Sequence, residues 1–161
     1  MSETAFYIPV GITSKADVSR LLRELESLEE NVRQSHLQKK PGSTKVNISQ
    51  IMQEIAHVNS IDLRTTTARK TLAENLQQLK KSAPIVHISF ASSPRAQFLA
   101  NITGWFRREV HPHVLLEVGM QPGIAAGCVI RTTNKFFDFS LRKKMLDNTA
   151  VLAQKLREKM Q

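Results

Sequence analysis

The chain has 161 residues, 41% hydrophobic and 23% charged, which allows one domain of ordinary size or two small ones and excludes wholesale disorder. Its 23 lysines and arginines against 14 acidic residues leave a formal charge of +9, which points to an acidic protein, a nucleic acid or an anionic membrane surface as partner. No run approaches the ~20 apolar residues that cross a bilayer, the first residues lack the charged-then-apolar pattern of a secretory signal, and a single cysteine excludes an intramolecular disulfide, so the chain reads as cytoplasmic.

The first thirteen residues mix apolar side chains with Pro9 and Gly11 and read as an extended arm that packs on something. A helix follows, capped by Thr13 or Ser14. Its apolar positions Val18, Leu21, Leu22, Leu25, Leu28 and Val32 alternate threes and fours, giving one stripe close to a heptad seam. That seam, with Val18, Leu21, Leu25, Leu28 and Val32 as its members, either packs within its own domain or receives a partner helix. His36 to Asn47, centred on Pro41-Gly42-Ser43, is a loop. Ser49 caps a short helix to Val58 with Ile51, Ile55 and Val58 on one side. A third helix starts after Asp62 or the threonines 65 to 67, places Leu72, Leu76 and Leu79 on one face, and ends near Lys80-Lys81, where cations suit the carbonyl end of the helix dipole.

The periodicity changes at Pro84. Ile85 to Phe90 is a β-branched run bounded by prolines and reads as a strand. Ser93-Pro94 opens a helix to about Glu109, with Phe98, Leu99, Ile102, Trp105 and Phe106 inward, and His111-Pro112-His113 ends it. Three strands follow, Val114 to Met120, Ala125 to Arg131 and Lys135 to Phe139, joined by a turn at Gln121-Pro122-Gly123 and a tight connection at residues 132–134. Ser140 caps a last helix to about Glu158 with Leu141, Met145, Leu152 and Leu156 on its inner face. The expected fold class is α+β: a helical region over residues 1–83, then a β-α-β-β-β-α domain over 84–161. The second part is the more cationic, with 11 basic and 5 acidic residues.

Catalytic signatures are missing. There is no glycine-rich phosphate loop, nucleophile elbow, HExxH or paired-cysteine spacing, so no catalytic, cofactor-binding or metal-binding residues are assigned and no cofactor is expected. His111 and His113 flank a proline but lack a third ligand. Cys128, within AAGCVI, reads as a small buried hydrophobe. Lys135-Phe136-Phe137-Asp138-Phe139 superficially resembles the basic and aromatic strand with which RNA-recognition motifs stack on bases. It lacks that motif's glycines, Asp138 opposes phosphate, and the three phenylalanines cannot all share one strand face, so one face is expected to enter the core.

From Val114 to Met145 the residues resemble the carboxyl-terminal signature of the delta subunit of F-type ATP synthases, the oligomycin-sensitivity-conferring family. The matching positions are Ile124, Ala126-Gly127, Val129-Ile130-Arg131, Asp138, Ser140, Leu141 and Arg142, spaced without a gap, and the strand and helix from Ile85 to Glu109 occupy the family's order. Thr133-Asn134 and Phe139 depart from the family's usual residues, and residues 1–83 are shorter than its helical first half. The resemblance implies a non-catalytic peripheral-stalk subunit that links the catalytic-head α and β subunits to b-type stalk helices, resists rotation during proton-driven ATP synthesis, and lies on the inner face of the cell membrane through the complex. Asp138 either pairs with Arg131 or Arg142 across the hairpin and the helix start or is simply solvated, and Phe136 or Phe137 facing outward beside Arg142-Lys143-Lys144 would suit a partner helix with acidic flanks, making the hairpin and helix a docking platform. The alternative function is a basic nucleic-acid-binding module built on the same half of the chain.

Overall fold

A computed structural model describes residues 6–37, 48–132 and 134–159, with the backbone alone described for Ser35, His36, Leu37, Ala150 and Leu152. The first arm residues, most of the loop around Pro41 and Thr133 lie outside the described residues. The elements are α1 (Lys15–Leu37), α2 (Gln50–Val58), α3 (Thr66–Ser82), β1 (Ile85–Phe90), α4 (Ala96–Glu109), β2 (Leu115–Met120), β3 (Cys128–Arg131), β4 (Phe136–Asp138), α5 (Leu141–Asp147) and α6 (Thr149–Lys159), with a 3-10 turn at Pro122–Ile124. The fold is α+β, with a helical amino-terminal region and a four-stranded mixed sheet. By contacts the chain forms two compact units: residues 1–84 with 100–115, and residues 85–99 with 116–161.

In the first unit each helix begins on a side-chain cap. The Ser14 hydroxyl accepts from the Asp17 N–H at 3.2 Å, while Asp17 Oδ2 accepts from the N–H groups of Thr13 and Ser14 and from both hydroxyls at 2.8–3.2 Å. Ser49 caps α2 and Thr65 caps α3 in the same way, satisfying first-turn amides that have no partner within the helix. Inward, α1 contributes Val18, Leu21, Leu25 and Leu28, α2 Met52 and Ile55, and α3 Leu72, Leu76 and Leu79; Ile8, Ile12 and Leu115 complete the cluster. The seam of α1 is therefore filled from within the chain, with Val32 half-buried at its end. On α2 the inward face is Met52, Ile55 and Ala56, and Val58, expected beside Ile55, is exposed.

The arm packs where described. Ile8, Pro9 and Ile12 are buried, and Asn59 clips the backbone of Tyr7 on both sides, its Oδ1 accepting from the Tyr7 N–H at 2.8 Å and its Nδ2 donating to the Tyr7 carbonyl at 2.9 Å. The Arg107 guanidinium donates to the carbonyls of Ile8 at 3.0 Å, Pro9 at 2.9 Å, Val114 at 3.3 Å and also Ile12. Burial holds its pKa below the ordinary arginine value, with Tyr7 opposing that shift. A cation satisfied by carbonyl dipoles needs no carboxylate, which is why an apolar neighbourhood tolerates it.

The sheet order is β2-β1-β3-β4, so β1 and β3 are central and β2 and β4 are edges. Leu115 N–H donates to Pro84 O and Gln121 N–H to Phe90 O, an ascending pattern that makes β1 and β2 parallel. β3 is antiparallel to both neighbours, with Ile88 opposite Ile130 and Ile130 opposite Phe137. The alternation of β1 puts Val86, Ile88 and Phe90 in the core and leaves His87 exposed. His87 faces Glu117 of β2 at 3.4 Å. The third strand begins at Cys128, three residues later than its sequence suggests, because Ala125 at φ 64 and Gly127 at φ 90 are in left-handed backbone that no strand contains. Among the described residues no helix is long and apolar enough to cross a membrane.

Candidate functional site

The residues of the signature converge on one junction, where β3 begins, β4 ends and α5 starts. Ile124 is buried and anchors the 3-10 turn, whose approach is held by the Gln121 N–H donating to Phe90 O at 2.8 Å. The chain then reverses through Ala126 and Gly127. The Ala126 carbonyl accepts from the Leu141 N–H at 2.8 Å and the Cys128 carbonyl from the Phe139 N–H at 2.9 Å, so the backbone entering β3 is stitched to the backbone entering α5. Gly127 is required by this approach: a Cβ placed on it would lie 2.3 Å from the Phe139 carbonyl oxygen.

Asp138 and Ser140 make the turn into α5. The Ser140 N–H donates to Asp138 Oδ1 at 2.9 Å, and the Ser140 hydroxyl accepts from the Lys143 N–H at 3.1 Å as the helix cap. Hydrogen bonds from the Ser140 hydroxyl and N–H hold the Asp138 carboxyl below its ordinary pKa, with Lys143 and Arg142 adding to the effect. Among the described residues no ion pair joins Asp138 to Arg131 or Arg142; the carboxylate organises backbone instead.

The aromatic residues depart from expectation. Phe136, Phe137 and Phe139 are 65%, 42% and 60% exposed, so neither face of β4 delivers an aromatic fully into the core. The reason is position: β4 is a three-residue edge strand with nothing beyond it in the sheet. Phe137 and Phe139 stack with ring centroids 6.2 Å apart on the face shared with Ile130 and Ile88. Phe136 lies on the other face, in register with Arg131, which is itself opposite His87. The last helix also departs, because Asn148 interrupts it and Leu141, Met145 and Leu156, expected inward, are exposed; the Leu152 side chain lies outside the described residues. Further out on α4, Phe98 and Trp105 are about half exposed rather than inward, Phe98 meeting Phe90 edge to face at 5.8 Å.

The histidine pair is accounted for by the backbone. His111 Nδ1 accepts from the His113 N–H at 3.1 Å, and His113 Nε2 lies 3.1 Å from Phe6 O. Among the described residues no group of three His, Cys, Asp or Glu stands close enough to hold a metal. Cys128 is half-buried, and burial raises its pKa, which keeps the thiol protonated.

Two cations escaped the sequence reading. Arg69 is buried, donating to the carbonyls of Leu63 and Arg64 at 2.8 and 3.0 Å and to the Thr66 hydroxyl at 3.2 Å, and its Nε has no partner among the described residues. Its position three residues before Leu72 places it on the Leu72, Leu76, Leu79 face, and that spacing was the available signal. Arg107 follows the buried Phe106 and lies four residues after the buried Thr103, again on the inward side.

Set against known proteins, the chain matches no family model and no curated protein. What remains is the junction itself: a hydrogen-bonded turn with three exposed aromatic rings, followed in sequence by Arg142, Lys143 and Lys144.

Proposed function

We propose that the chain is a non-catalytic peripheral-stalk subunit resembling the delta subunit of F-type ATP synthases, linking the catalytic-head α and β subunits to b-type stalk helices. The observation that carries this reading is the junction, where Gly127, Asp138 and Ser140 fix the backbone while Phe136, Phe137 and Phe139 stay exposed. A stator must transmit force without yielding. Closely packed backbone held by hydrogen bonds suits that task, and an aromatic platform with cationic neighbours suits an amphipathic partner helix carrying acidic flanks. The apolar residues of the α1 seam are buried within the chain, so this reading assigns the partner contacts to the hairpin and α5.

The test is a pull-down of the tagged chain from detergent-solubilised native membranes, with nuclease present, read by mass spectrometry. Recovery of α, β and b-type subunits is expected, and Phe136→Ala with Phe137→Ala should cut b-type recovery at least about tenfold, since a buried aromatic anchor is worth 2 kcal/mol or more. Recovery of none of these subunits sinks the proposal. One observation favours the second reading, nucleic-acid binding: Phe136, Arg131 and His87 lie in one cross-strand row on the exposed face of the sheet. Its signature is an oligonucleotide affinity that falls steeply with salt.

A further inference from the structure

We draw no further inference here: the strongest candidate, the exposed apolar side chains of Val118 and Met120 along the β2 edge of the sheet, is an unpartnered surface, and nothing in the structure shows what covers it.

Discussion

Gly127 is the residue on which the junction depends. Its φ of +90 is strained for any residue with a side chain, and the nearest obstacle to a Cβ is a backbone oxygen at 2.3 Å that belongs to the turn into α5 and cannot swing away. Gly127→Ala should therefore destabilise the chain by about 3 kcal/mol, read by urea unfolding. Gly123→Ala is the control, because nothing lies within 4 Å of its added methyl. Its change should stay within about 0.5 kcal/mol. Equal midpoints for the two variants would mean that the approach of Phe139 to Gly127 is not a constraint of the native state. The sequence carried part of this: a glycine flanked by small residues before an aliphatic strand signals close backbone approach. It did not reveal that the approaching group is the Phe139 carbonyl, because hydrogen bonds between backbones leave no mark on side-chain patterns. The same blindness hid Arg107, whose four partners are all carbonyls.

Among the elements, α1 shows why some segments were legible and others were not. Its stripe, caps and length follow from the spacing of leucines and from Ser14, and β1 was readable from its β-branched run because both are covered by other parts of the chain. The spacing of Leu141, Met145 and Leu156 named an inner face on one last helix, but the chain breaks that helix at Asn148 and leaves these side chains exposed. Amphipathic spacing reports that a helix has an apolar side, and the partner that hides it is a separate fact. The cap of α1 also makes a pH prediction. Burial raises the pKa of the Asp17 carboxyl, but hydrogen bonds from Ser14 and Thr13 outweigh it, and the net shift is downward. A depressed folded pKa contributes stability that is present above the unfolded value, about 3.9, and is lost as pH falls through the folded value. Asp17→Asn should then be less stable than the parent at neutral pH, with the gap closing below about pH 4. Unfolding midpoints from pH 7 down to 3 decide it, and a gap that stays constant would assign the loss to geometry rather than charge. In the same helix, Leu25→Asp should prevent folding altogether, since it sets a carboxylate among the apolar residues of the cluster. A folded variant that merely loses partners in a pull-down would return the seam to a binding role.

At the scale of the whole chain, sequence order and packing divide the molecule differently. In the sequence, Pro84 marks the change from helical to strand periodicity. The packing crosses that line, because residues 100–115 group with the first 84 residues. Three interactions account for the crossing: Arg107 holds the carbonyls of Ile8, Pro9 and Ile12, His113 Nε2 meets Phe6 O, and Leu115 belongs to the cluster built by α1, α2 and α3. A fragment spanning residues 84–161 leaves that guanidinium without three of its acceptors and exposes Leu115, which is fully buried in the intact chain. Losing the apolar burial costs about 1.5–3 kcal/mol per large side chain, and the orphaned cation adds a penalty of similar size, against a total stability of about 5–15 kcal/mol for a domain. The fragment should therefore show no cooperative urea transition, while the full chain unfolds cooperatively. Arg107→Met in the full chain separates the two costs, since it removes the cation but keeps an apolar stem on the same helix face. A fragment that unfolds cooperatively at the full chain's midpoint would mean that the contacts made by residues 100–115 are dispensable, and that the break at Pro84 is a true domain boundary.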